Sequence, residues 1–292
     1  MSRLVFLGTP EVAARTLRAL ADGGHEVVLV VTSPDRRRER RASPSPTPVK
    51  RVAAELGIAV TERVEDVVGA TAQLGVVVAF GRIIGADVLA RVPMVNVHYS
   101  LLPRWRGAAP VERAILAGDP TTGVSVMALE RDLDTGPVYG CREVAIGPEE
   151  TADELRTRLG DLGTALLLDL LGRPAGLPEP APQRGEPTYA AKLTPDELRL
   201  DFGRPAEECA RVVRAGRAWT TFRGRRLLVL TARPRSAGRA APGSPGSLEG
   251  SLVGTGEGAL ELVEVQSEGR GPLPFAAWRA GARPGPGEIL GA

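Results

Sequence analysis

Apolar residues in the first eighty positions come in short unbroken runs separated by amphipathic stretches. Leu4 to Leu7 is one run, ending at Gly8-Thr9-Pro10; Val27 to Val31 is a second and Leu74 to Phe80 a third. Runs without polar alternation belong to strands covered on both faces. Glu11 to Ala21 instead repeats Val12, Thr16, Leu17 and Leu20 near one helical face, and Val49 to Leu56 and Asp153 to Leu171 read as further helices. Buried strands alternating with helices predict an α/β unit on a mostly parallel sheet. Its first strand-to-helix turn carries only Gly8, where a dinucleotide fingerprint needs three spaced glycines, which argues against a nicotinamide enzyme.

The pattern changes after Leu171. Gly172 to Thr188 holds five prolines in seventeen residues and reads as a semi-rigid linker. Glu207 to Ala215 has the pattern of a short helix. Short strand-like pieces follow, Arg225 to Ala232, Ser251 to Val253 and Ala259 to Val265, set among Gly- and Pro-rich turns. Such spacing predicts a small antiparallel β barrel or sandwich. A length of 292 residues suits two domains.

Composition narrows the chemistry. With 43% hydrophobic and 25% charged residues the chain is an ordinary folding one. Its two cysteines, Cys141 and Cys209, form neither a zinc knuckle nor a redox pair, so no metal is expected. The N-terminus lacks a leader pattern and no apolar stretch approaches membrane-spanning length, so the expectation is a soluble cytoplasmic protein. Only His25 and His98 could supply an imidazole, and His25, directly before a buried run, is read as structural.

The net charge of +2 averages a split. From Gly203 to Ala292 there are 13 Arg and 8 Glu, a balance of +5, which leaves −3 for the remainder. Trp219 and Phe222 lie within this arginine-rich part, a mixture suited to a phosphate backbone with exposed bases. Separately, Arg36, Arg37, Arg38, Arg40 and Arg41 crowd ahead of Pro44, Pro46 and Pro48. Mutual repulsion and the prolines predict an exposed loop there, either simply solvated or an anion-binding arm.

The densest chemical signal is Asn96-Val97-His98-Tyr99-Ser100. Alternate side chains of an extended segment share a face, so Asn96 and His98 project together where open α/β sheets place ligands. Downstream, Leu133-Asp134-Thr135-Gly136 sets an acidic residue in a turn before the strand pattern Val138 to Val144. Together the three could serve acyl transfer without a metal: Asn96 donating to an oxyanion, His98 handling charge, Asp134 setting its protonation. Asn and Asp near turns also act as local caps, and from the residues alone both readings stand.

The Asn96-x-His98 pair, Ser100-Leu101-Leu102-Pro103 and the later Asp134 resemble the hallmark of the folate-dependent formyltransferases. The longer stretch Ser100 to Pro110, with Leu133 to Gly136, is most similar to members that act on tRNA. Gly8-Thr9-Pro10-Glu11, Pro34-Asp35-Arg36, Ser45-Pro46, Pro48-Val49-Lys50, Thr188 to Leu193 and Val265 to Gly269 extend the likeness over almost the whole chain. The resemblance implies a Rossmann-like catalytic domain over 1–178, a linker over 179–202 and an OB-like tRNA-binding domain over 203–292.

It further implies transfer of the formyl group of 10-formyltetrahydrofolate to the α-amino group of methionine on initiator tRNA, by a monomer. Asn96, His98 and Asp134 would be catalytic. Ser100, Leu101, Leu102 and Pro103 would form the folate-binding turn, with Phe80, Gly81, Ile83 and Ile84 lining the pterin pocket. Arg36, Arg37, Arg38, Arg40 and Arg41, with Arg223 and Arg225, would meet tRNA. The alternatives are a family member acting on a sugar-nucleotide or ribonucleotide amine, and a catalytically silent RNA-binding relative.

Overall fold

In the computed structural model, residues 2–35, 45–236, 243–285 and 287–291 are described. The chain folds into two compact units, one of Met1–Pro110, Thr121–Ala145 and Arg156–Ala190, the other of Val111–Pro120, Ile146–Leu155 and Ala191–Ala292.

The first unit carries β1 (Arg3–Gly8), α1 (Glu11–Asp22), β2 (Glu26–Val31), α2 (Pro48–Glu55), β3 (Val60–Thr61), β4 (Leu74–Val78), α3 (Ala86–Leu89), β5 (Met94–His98) and β6 (Arg106–Gly107). Next in the chain is α4 (Pro110–Ala117), which falls in the second unit from Val111 onward; β7 (Thr121–Ala128), β8 (Val138–Ala145), α5 (Ala152–Leu171, in this unit from Arg156 onward) and β9 (Tyr189–Ala190) follow. Seven strands form one sheet in the order β3-β2-β1-β4-β5-β7-β8. Every pair from β3 to β5 is parallel, and β7 and β8 close the far edge antiparallel. The apolar runs become the central strands: Leu4, Val5, Phe6 and Leu7 are fully buried. Winding runs outward from β1 through β2 to β3, then restarts at β4 on the other side of β1. That reversal opens a crevice beyond the carboxyl ends of β1 and β4.

Gly8 is required at this crevice for packing. A Cβ there would lie 2.7 Å from Ala13 Cβ and 2.9 Å from the carbonyl oxygen of Val78. α1 then buries Val12, Thr16, Leu17 and Leu20, the face its spacing predicts, together with Ala13 and Ala14. Capping defines other helix starts. Thr47 accepts from the Lys50 amide ahead of α2, and Thr151 and Glu154 bond reciprocally to each other's backbone N–H ahead of α5.

The second unit contains α6 (Ala206–Ala215), β10 (Trp219–Phe222), β11 (Arg225–Arg235), β12 (Leu248–Glu249), β13 (Leu252–Gly254), β14 (Ala259–Ser267), β15 (Leu273–Pro274) and α7 (Phe275–Ala282). Its strands pair antiparallel in the order β10-β11-β14-β13-β12, with β15 on β14. Helices contribute to this core as well as strands. Cys209 and Val213 of α6 and Phe275 and Trp278 of α7 are buried with Phe222, Leu227, Val229, Leu260 and Leu262. The Trp278 ring meets Phe222 edge-on at 5.1 Å and stacks on Phe275 at 5.2 Å, each contact worth about 0.5–1.5 kcal/mol beyond the area it buries. Within 179–202, Tyr189 and Ala190 pair as β9 with β6, whereas Leu200 and Phe202 are buried in the second core. Among the described residues, no helix is long and apolar enough to cross a membrane.

Candidate active site

β5 ends at the crevice rim with Asn96 and His98 two residues apart, hence on one face of the sheet. His98 is 5% exposed and Asp134 7%. The imidazole Nε2 lies 2.8 Å from the carbonyl oxygen of Trp105. A carbonyl only accepts, so this nitrogen carries the hydrogen and donates it, which turns Nδ1 toward Asp134. Nδ1 and Asp134 Oδ2 are 3.6 Å apart. The same Oδ2 accepts the Gly107 amide at 2.8 Å. Asn96 is half-buried, and among the described residues its carboxamide has no hydrogen-bond partner.

The turn after β5 is braced from within. Ser100 Oγ donates to the carbonyl of Arg104 at 2.6 Å. Ser125 Oγ on β7 donates to the Ser100 carbonyl at 2.8 Å and accepts the Leu102 amide at 3.2 Å. The Leu102–Pro103 peptide is cis, and the Trp105 amide donates to Thr188 Oγ1 at 2.8 Å. The Ser100 hydroxyl is therefore committed inside the turn, and the turn delivers the Trp105 carbonyl to His98. Leu101, Leu102 and Pro103 keep partly open surfaces.

A cleft of about 880 Å³ opens over the carboxyl ends of β1, β2 and β4. Phe80 and Gly81 line it, with Thr9, Pro10, Ser33 and Arg82. Ile84 packs instead against the core that includes Val5, Val77 and Phe80, and Ile83 stands 93% exposed. Of the expected pterin-pocket residues, Phe80 and Gly81 line the cleft, Ile84 packs partly buried against the core to which Phe80 belongs, and Ile83 stands in solvent.

A formyl transferase family model matches residues 2–171 and a formyl transferase C-terminal domain model residues 192–283. The methionyl-tRNA formyltransferase of Paracoccus denitrificans is 42% identical over 94% of this chain and 95% of its own length. That of Thermus thermophilus is 43% identical over 99% of both. The chain belongs to the methionyl-tRNA formyltransferase family. Among solved structures, HypX from Aquifex aeolicus in complex with tetrahydrofolic acid aligns over 95% of this chain and 47% of that longer one, with a TM-score of 0.69. At 19% identity this is a likeness of fold.

Arginines expected to serve this family's tRNA substrate are differently placed. Arg36, Arg37, Arg38, Arg40 and Arg41 lie outside the described residues. Arg223 is held by Glu288, with Nε to Oε1 at 2.6 Å and Nη2 to Oε2 at 2.7 Å, and it also donates to the carbonyls of Ala282 and Arg283. This carboxylate raises the pKa of Arg223 above its ordinary value and occupies the fork that would grip a phosphate. Arg225 is exposed and has no ion-pair partner among the described residues. Sequence reasoning passed over its neighbour Arg226, whose guanidinium lies 4.4 Å from the Trp219 ring centre with Arg199 at 5.6 Å. The arginine and tryptophan density signalled this surface, but the strand register that brings Trp219 diagonal to Arg226 appears only in the fold.

Proposed function

We propose that this protein transfers the formyl group of 10-formyltetrahydrofolate to the α-amino group of methionine esterified to initiator tRNA. The observation that carries the reading is an Asn96 carboxamide with no hydrogen-bond partner among the described residues, beside the enclosed His98–Asp134 pair, in a chain 42% identical to a methionyl-tRNA formyltransferase. The neutral amine attacks the formyl carbon and a tetrahedral oxyanion forms. Asn96 donates its amide hydrogen to that oxygen. A proton leaving the amine is received at Nδ1 of His98, between ring and carboxylate, while Nε2–H stays on Trp105. Collapse of the intermediate breaks the bond to N10 of the folate, which takes up a proton, so donor and acceptor exchange a formyl group for a proton with no net acid or base consumed.

Leu101, Leu102 and Pro103, with Phe80 and Gly81 on the cleft, would hold the folate, and no metal is required. Arg225 and its neighbours would hold the tRNA backbone, a salt-dependent contact that positions the substrate rather than reading its sequence. The reaction is assigned to the cytoplasm, where charged tRNA is consumed, and needs one copy of the chain.

The test is formylation by the purified protein with initiator methionyl-tRNA, elongator methionyl-tRNA, free methionine and an amino-sugar nucleotide offered in parallel. Turnover confined to the initiator species is expected. Equal turnover of the sugar nucleotide would replace the proposed acceptor with a small-molecule amine.

A further inference from the structure

Gln183 lies in the proline-rich stretch before β9, and its carboxamide uses its full bonding capacity. Nε2 donates to the carbonyls of Asp134 and Gly136, both at 2.8 Å. Oε1 accepts from Arg106 Nε at 3.0 Å and Nη2 at 2.6 Å. The orientation follows from chemistry: a guanidinium offers only donors and a carbonyl only accepts, so the flipped amide would face four mismatches.

These bonds close a ring of contacts around the imidazole. His98 donates to Trp105, Trp105 continues into Arg106, Arg106 grips Gln183, Gln183 holds the backbone of Asp134, and Asp134 returns to His98. Asp134 adopts a left-handed backbone with φ 53°, which its own sequence does not enforce. Gly136 fits the same turn closely, since a Cβ there would lie 2.0 Å from the Ala128 carbonyl oxygen.

We propose that Gln183 is a positioning residue for formyl transfer: gripped by Arg106, it fixes the Asp134 turn and so holds Asp134 and the Trp105 carbonyl in register on opposite nitrogens of His98. It touches no reacting atom. The proposal rests on the formyl-transfer reading above. Other supports of the turn, Gly136 and the Gly107 amide, limit where the turn can go, and Gln183 selects the carboxylate position within that range.

The experiment measures kcat, both KM values and the melting temperature for Gln183→Ala and Gln183→Glu, each in the native background and with Asp134→Asn. Gln183→Glu preserves size and the bond to Arg106, but sets a second acceptor against two carbonyls. Both variants should lose about tenfold to a hundredfold in kcat, the scale of a displaced catalytic group, with KM values changed less than about threefold. In the Asp134→Asn background they should cost clearly less than in the native one, because the part of the brace that acts through that carboxylate is already lost and only the hold on the Trp105 carbonyl remains.

If Gln183→Ala melts below the assay temperature, Gln183→Glu decides the matter. Unchanged kcat, or losses that multiply fully in the Asp134→Asn background, would overturn the proposal. Wild-type turnover is read first. Its absence would sink the formyl-transfer reading and this proposal with it, whereas normal turnover with undiminished variants would sink the brace alone.

Discussion

Asp134 Oδ2 stands 3.6 Å from Nδ1 of His98, and both side chains are almost wholly enclosed. Because Nε2–H is spent on the Trp105 carbonyl, the proton-accepting edge of the ring is the one that faces the carboxylate. Asp134→Asn can still accept the Gly107 amide through its side-chain oxygen, so the turn should persist while the charge is lost. We expect kcat to fall by about 10²–10⁴, the range for a positioned proton-transfer group, for this variant and for His98→Ala. Folate binding, followed by ligand fluorescence or calorimetry, should be little changed. Near-normal turnover in both variants would remove the pair from the mechanism.

Among the described residues Asn96, unlike His98, has no hydrogen-bond partner for its side chain. If the carboxamide meets charge only as the tetrahedral oxyanion develops, its removal should cost turnover and leave ground-state binding alone. Asn96→Ala is expected to lose about 10²–10³ in kcat with both KM values unchanged. Asn96→Asp should be worse than alanine, since a carboxylate repels the developing oxyanion. A change confined to KM would assign Asn96 to substrate binding instead.

Arg223 and Arg225 are two residues apart in sequence and should behave differently when removed. Arg223 fastens the end of β10 to Glu288 and to the carbonyls of Ala282 and Arg283 at the C-terminal end of α7, so Arg223→Ala should lower the melting temperature and leave the salt dependence of tRNA binding intact. Arg225→Ala and Arg226→Ala should raise the KM for tRNA and reduce the slope of log affinity against log salt by about one each, as expected for lost phosphate contacts. Similar salt slopes in all three variants would refute this division.

These contrasts mark where sequence patterns carry structural information. β1, β2 and β4 were legible because strands covered on both faces show unbroken apolar runs. β7 was not: Thr121, Thr122, Gly123 and Ser125 interrupt its apolar residues, although Thr122 to Met127 are buried. α7 is eight residues long and bounded by Pro274 and Arg283, yet Phe275 and Trp278 anchor it in the second core. In the site, a two-residue spacing on a strand was enough to pair Asn96 with His98. Gln183 gave no comparable signal, because its partners lie 47 to 77 positions away and only the fold brings them to it. Arg223 was visible as a cation, but its carboxylate is 65 positions downstream.

Glu197 predicts how the second unit responds to acid. Its carboxylate accepts Arg113 Nη1 at 2.6 Å, and Thr194 donates to it from its amide at 2.9 Å and its hydroxyl at 3.1 Å. The Arg113 bond first, and the Thr194 amide second, lower its pKa from 4.5 to about 2. A carboxyl depressed in the folded state binds protons less readily there than in the unfolded chain. Its stabilising contribution is therefore full above its ordinary value and is lost as pH falls toward the folded value. Solvent reaches part of the pair, so the effect should also shrink at high salt. The melting temperature of Glu197→Gln should lie below wild type at neutral pH and converge with it as pH approaches 2, with Arg113→Ala removing most of the wild-type advantage. A gap that stays constant through the acid range would mean that Glu197 stabilises through shape and neutral hydrogen bonds, and that its ionisation contributes nothing.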